Sequence, residues 1–271
     1  MSEPPAGAAA LAASPPPRPP PPPLPAMTLL RVFARSLFLQ ASWNPQGMQN
    51  LGLAYALFPA LKALYPDPDR QMAAVRRHLA FFNTQPYMAA AILGGVIHHE
   101  ARIARGEEGP EVVVGFKAAL MGPLAALGDG FFWLSLRPAL GAFCAALVPV
   151  LDAWAAVLFL VLYNVVHLTL RARLFRMGLR LGDRLVEAVA HAHLPAWGAR
   201  LRTVGAASAG GAVAYLAISL GANQGGRVGN ALAVGYLALG VLAYWLTSKR
   251  FGNYALLYLA AGLAVAAGAL L

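Results

Sequence analysis

MGPLAALGDGFFWLSLRP, residues 121–138, is the stretch on which the reading of this chain turns. The run is almost wholly apolar, yet it sets one carboxylate, Asp129, between Gly128 and Gly130. Trp133 and Arg137 follow at helical spacing, four and eight residues on. A carboxylate in a low-dielectric setting is costly unless it is paired or neutralised. Pro123, Gly128 and Gly130 interrupt the helix that the apolar residues would otherwise form. A broken apolar segment holding a buried acid points to a ligand or ion site inside a membrane protein. A bent core helix whose Asp caps its second half would read the same way, so the stretch by itself leaves both open.

Composition narrows the choice. Of 271 residues, 59% are hydrophobic and 12% charged, against roughly 45–50% and about 25% in soluble domains. That excess predicts an all-α integral membrane protein that crosses the bilayer several times. The net charge of +10 lies mainly in short clusters between apolar runs. Cytoplasmic loops beside anionic lipid explain such clusters better than a nucleic-acid face does. The lone cysteine, Cys144, excludes an intramolecular disulfide and a multi-cysteine metal cluster, and among Ala, Phe and Leu it reads as a small buried hydrophobe.

Residues 1–27 form a Pro- and Ala-rich tail, an extended solvated tether that cannot build a core and lacks the apolar run of a signal peptide. Within 28–78, TLLRVFARSLFLQ (28–40) fits an amphipathic interfacial helix. Asn50–Leu64 is an apolar helix too short for a full span, and YPDPD with Arg70, Arg76, Arg77 and His78 follows it. Residues 79–170 form a region of broken helices. LAFFNTQPYMAAAILGGVI (79–97) is punctuated by Asn83, Thr84, Gln85 and Pro86, and HHEARIARGEEGPE is a charged loop. The segment 112–136 carries Lys117, and 138–170 is divided at Pro149 and Asp152. Residues 171–202 read as a cytoplasmic amphipathic segment in which Arg176, Arg180 and Arg184 face headgroups and water. Plain transmembrane helices at about 203–222, 228–247 and 253–271 close the chain. The Arg-rich 171–202 segment and Lys249-Arg250 lie on the inside, by the positive-inside rule.

Three polar clusters interrupt the apolar helices: Trp43-Asn44 with Met48-Gln49-Asn50; Asn83-Thr84-Gln85; and Asp129 with Trp133 and Arg137. Amides and a carboxylate offer paired donors and acceptors for hydroxyl groups, and an indole offers a platform for an apolar ring face, so the set suits a sugar. Polar contacts gluing helix to helix are the competing explanation. His98-His99-Glu100 is not a metal motif, because adjacent imidazoles diverge by about 100° on a helix and HExxH spacing is absent. His167 near Asn164 reads as hydrogen-bonded within an apolar span. With no phosphate-binding loop, nucleophile elbow or Cys-His repeat, the chain is expected to need no metal or cofactor and to carry no catalysis of its own.

SWN with MQNLG (42–52), LYPD (64–67), RRHLAFFNTQPY (76–87), ILG (92–94), and KAALMGPLAALGD with FFW and LRP (through 138) resemble the IID membrane component of the mannose/fructose/sorbose-type phosphotransferase system. The resemblance is dense from about residue 28 to 185 and beyond that is one of hydropathy. It implies a subunit of the bacterial inner membrane that pairs with IIC to form the translocation path in a trimeric assembly. A hexose is phosphorylated during uptake by the IIB protein, which IIA supplies; IID itself is not phosphorylated. It also implies that Trp43, Asn44, Gln49, Asn50, Asn83, Thr84 and Asp129 lie along the sugar path. Departures are Ala91 where the family usually has proline, Gly130 where Ser or Pro is typical, and a short 223–227 link. On these departures rests the other expectation, a regulatory or structural subunit that no longer transports. Which sugar is carried is not written in the sequence.

Overall fold

A computed structural model describes residues 24–191, 193–223 and 234. These residues are helical, joined by turns and two isolated backbone bridges, Asn44–Met48 and Met48–Phe82, with no strand among them. The expected spans at 228–247 and 253–271, the Lys249-Arg250 loop and residues 1–23 of the tail lie outside the described residues. The chain divides into two compact units, one of residues 24–125 and 170–191, the other of residues 126–169 and 193–223.

In the first unit, α1 (Ala26–Ser36) packs on α2 (Asn50–Leu64). The Arg35 guanidinium lies 4.6 Å from the centre of the Tyr55 ring. Gly52 admits the Leu39 carbonyl, which a Cβ there would meet head-on. α3 (Pro68–His78) starts where sequence chemistry puts it. Asp67 Oδ1 accepts from the Asp69 and Arg70 amides at 3.0 Å, proline occupies the first turn, and basic residues fill the last. α4 (Ala89–Arg105) is initiated by Gln85, whose Oε1 accepts from the Tyr87 and Met88 amides at 2.8 and 2.9 Å. It ends at Gly106, whose φ of +80° is the left-handed stop that glycine adopts without steric cost.

Two expectations change here. HHEARIAR is helix rather than loop, which leaves only 106–109 as the connection, because the buried Glu100 is paired with Arg77, His78 and Tyr65, His99 with Glu108, and the stop signal comes at Gly106. Ala91 lies in the first turn of α4, its amide bonded to the Met88 carbonyl at 2.9 Å. First-turn amides have no intrahelical i→i−4 acceptor, so exchanging a proline for alanine at this position leaves the helix unbroken.

α5 (Pro110–Gly128) begins in the first unit and contains Pro123. The helix does not break at Pro123, Gly128 or Gly130: residues Pro110–Ala146 are helical throughout. The disturbance takes the form of a π-helical stretch, Asp129–Leu136, leading into α6 (Arg137–Ala146). The Arg137 amide bonds the Phe132 carbonyl five residues back. An apolar helix lacking water to satisfy its backbone widens a turn at lower cost than it opens one. α7 (Val148–Leu151) is a single turn, ended at Asp152 with φ +51°, and α8 (Trp154–Leu181) follows.

α8 runs without interruption through the boundary expected at 170/171, so 171–181 continues an apolar helix instead of starting a separate one. Arg176, Arg180 and Arg184 are exposed and Leu174 and Leu185 buried, whereas Arg171 is itself buried and donates to the Ser36 carbonyl at the end of α1. In the first unit α8 crosses α4 backbone to backbone: a Cβ on Gly94 would lie 2.3 Å from the Phe175 carbonyl oxygen, and one on Gly178 2.1 Å from that of Ala91. A short α9 (Leu185–Ala190) completes this unit. In the second, α10 (Leu194–Asn223) packs on α6 and the π stretch, also running through the expected 202/203 boundary. Among the described residues, Pro110–Ala146 and Trp154–Arg184 are the helices long and apolar enough to cross a membrane.

Candidate functional site

Two of the three polar clusters meet in the first unit. Asn44 and Met48 exchange backbone hydrogen bonds at 3.1 and 2.8 Å, closing a tight turn in which Met48 adopts φ +58°. Asn44 Oδ1 accepts from the Gly47 amide at 2.8 Å, and Asn44 Nδ2 donates to Asn50 Oδ1 at 3.0 Å. This turn docks on the 79–88 loop through the Gln49 amide, which bonds the Phe82 carbonyl at 2.9 Å. The Gln49 side chain, 2% exposed, pairs with the Thr84 backbone in both senses, donating from Nε2 at 2.8 Å and accepting at Oε1 at 3.1 Å. Thr84 Oγ1 donates to the Met121 carbonyl at 3.0 Å and Asn50 Nδ2 to the Leu79 carbonyl at 2.6 Å.

Most of the polar groups singled out in these two clusters are therefore committed to holding two irregular loops together, a need that buried backbone always creates. Three stand apart. Trp43 is exposed and, among the described residues, the half-buried Asn83 makes no hydrogen bond and the buried Gln85 Nε2 finds no partner. An unpaired buried amide donor is costly.

Asp129, Trp133 and Arg137 belong to the second unit. Asp129, expected to be buried, is exposed at the first position of the π stretch. Trp133 is 37% exposed, and the Arg137 guanidinium lies 5.8 Å from its ring centre.

The first unit also holds a charged centre that no sequence motif announces. Glu100 is fully buried and takes a bidentate pair from Arg77, Nε to Oε1 at 2.7 Å and Nη2 to Oε2 at 2.9 Å. His78 Nε2 lies 2.8 Å from Oε1, and the Tyr65 hydroxyl donates to Oε2 at 2.6 Å. Lys117 Nζ closes the cluster on the Arg77 carbonyl at 2.8 Å. Burial would raise the Glu100 pKa, but the Arg77, His78 and Tyr65 hydrogen bonds outweigh it and hold the carboxyl well below its usual range. Burial drives His78 the other way, below its ordinary value and against the pull of Glu100, with Lys117 and Arg77 adding to the effect. A neutral imidazole donating from Nε2 also fits His78 Nδ1, which is buried with no hydrogen-bond partner among the described residues. Tyr65 is pushed up by burial and by Glu100, so it remains the donor. The signal was present as Glu100 continuing the ILGGVI helix, but its partners lie 22 to 35 residues away.

His98 and His99 diverge as expected of helical neighbours: His98 Nδ1 lies 3.1 Å from the Leu179 carbonyl and His99 Nδ1 2.9 Å from Glu108.

Helical apolar segments carrying polar loops define a membrane-protein class, and solved structures of like fold agree. One is a chain of the mannose transporter ManYZ in complex with Microcin E492 (TM-score 0.57, 30% identity, 91% of this chain and 96% of that one). Another is described as the structure of a membrane protein (TM-score 0.69, 29% identity, the same coverages). The family model "PTS system mannose/fructose/sorbose family IID component" matches residues 24–270, and the chain belongs to that family. Similar curated proteins include the mannose-specific EIID component of Escherichia coli K12, 42% identical over 142 residues, which are 52% of this chain and 50% of that one. The sorbose-specific EIID component of Klebsiella pneumoniae is 36% identical over 160 residues, 59% of this chain and 58% of its own. The fructose permease IID component of Bacillus subtilis is 34% identical over 164 residues, 60% and 59% of the two chains. The chain thus spans between half and three-fifths of the length of the curated relatives it matches.

Proposed function

We propose that this chain is the IID-type subunit of a phosphotransferase sugar permease, forming with IIC the path for a hexose that IIB phosphorylates during uptake. The family match over residues 24–270 carries this reading. On it, the subunit is non-catalytic, sits as a multi-pass protein in the bacterial inner membrane, and works in a trimeric assembly served by IIB and IIA. α1, with Met27 and Leu30 exposed beside Arg31, lies in the membrane interface. Within the path, Asn83, Gln85 Nε2 and Trp43 are the groups left for the sugar by the first two clusters. Asn44, Gln49, Asn50 and Thr84 hold the loops that present them, with Met48 at the turn. Asp129, Trp133 and Arg137 supply a carboxylate, an aromatic face and a cation. The family's proline position, Ala91, falls in a first turn where alanine in place of proline leaves the helix unbroken, so it gives no support to loss of transport.

Co-expression with IIC, IIB and IIA partners in a strain lacking its own system tests the reading. Phosphoenolpyruvate-dependent hexose uptake is the expected outcome, and an assembled complex that moves no hexose would overturn it. Asp129→Ala is expected to abolish uptake while the complex still assembles. Loss of assembly instead would make Asp129 structural.

A further inference from the structure

We infer that Arg202 is a positioning residue: acting through Ser135, it holds the wide π turn whose first residue is Asp129 and thereby sets how that carboxylate is presented. Its consequence for uptake rests on the reading of Asp129 as a sugar-path residue; the geometry does not.

A π turn is rare and needs something to hold it against relaxing to the α form. Here the Ser135 hydroxyl donates to the Gly130 carbonyl, five residues back, at 2.8 Å. With its hydrogen committed there, the fully buried Ser135 Oγ accepts from Arg202 Nη1 at 2.7 Å. Donation by a guanidinium polarises the hydroxyl and strengthens the bond it makes onward to the carbonyl. Gly198, one turn before Arg202 on α10, keeps the approach open: a Cβ there would lie 2.9 Å from Ser135 Oγ and 3.4 Å from Arg202 Nη1. Gly130 has the opposite character, since among the described residues a Cβ on it would meet nothing within 4 Å. That glycine is not demanded by packing. It leaves the backbone beside Asp129 soft, so the turn takes its shape from the tie on its carbonyl. A cavity of about 230 Å³, lined in part by Gly130, Phe131, Gly198 and Arg202, gives the released turn room to move.

The test uses the full chain assembled with its partners. In a Cys144→Ser background, Asp129→Cys places a single thiol at the first π position, and its alkylation rate by a membrane-impermeant maleimide is measured. Adding Ser135→Ala or Arg202→Gln is expected to change that rate about tenfold, the scale on which one lost hydrogen bond shifts a local equilibrium. Arg202→Lys, which keeps a cationic donor, is expected to restore most of it. Unchanged rates in both Ser135→Ala and Arg202→Gln would overturn the inference. Should Arg202→Gln fail to assemble, Ser135→Ala decides alone. Asp129→Asn uptake is followed in parallel: full uptake there, with altered alkylation in the tie variants, defeats the sugar-path reading and leaves the positioning role standing.

Discussion

The Glu100 carboxylate is held by Arg77, His78 and Tyr65 at 2.6 to 2.9 Å. Breaking a buried pair leaves an unmatched charge, so Glu100→Gln is expected to destabilise the chain by about 3–5 kcal/mol, read as a fall in melting temperature in detergent. The same site sets an acid limit. His78 binds its proton less readily when folded than when unfolded, so stability is complete above its ordinary value of 6.5 and declines as pH falls below it. Glu100, whose folded pKa is also depressed, contributes stability above its ordinary value of 4.5 that is lost as pH falls further. Melting temperatures from pH 8 to 3 should therefore decline from about pH 6.5, in keeping with the reference imidazole value. His78→Gln should flatten the upper part of that decline and leave the lower part. A flat profile in the unmodified chain would contradict the assignment.

Elements differ in how much of them the sequence exposes. α2 follows its expected limits, Asn50–Leu64, because a mainly apolar run between turn formers, even with Pro59 and Lys62 within it, needs no distant partner to be helical. α4 departs from the sequence expectation at both ends. Its start depends on the Gln85 side chain folding back on two amides, and its charged second half is helical because distant side chains pair with the buried Glu100 and Glu108 pairs with His99. Proline and glycine signal interruption without saying whether a turn opens or widens, so the sequence predicts a break where the chain forms a π stretch. The crossing of α4 and α8 was not visible at all, as Gly94 and Gly178 lie 84 positions apart in an abundance of glycines. Gly178→Ala would push a methyl into the Ala91 carbonyl, an overpacking expected to cost about 1–3 kcal/mol. Thermal melting reads this directly, and an unchanged melting point would show that the helices do not touch there.

For the whole molecule, Pro110–Ala146 and Trp154–Arg184 predict a chain embedded in lipid rather than held by charge. High-salt and alkaline washes of membranes should leave it in the pellet, whereas release by salt alone would mean that its +10 charge, not its helices, binds it. The polar clusters were legible as unusual letters, but their roles were not. Gln49 finds Thr84 across 35 positions and Arg202 finds Ser135 across 67, separations that no local pattern encodes. By itself the sequence determined the helical membrane class and, through its motif blocks, the family, because helix backbone bonds are local and apolar length is additive along the chain. Only the tertiary structure decided that Asn44, Gln49, Asn50 and Thr84 hold loops, that Asn83 and the Gln85 amide are left over, and that Asp129 stands exposed on a tied π turn. A buried polar group must be satisfied wherever a partner lies in space, and folding, not chain order, chooses that partner.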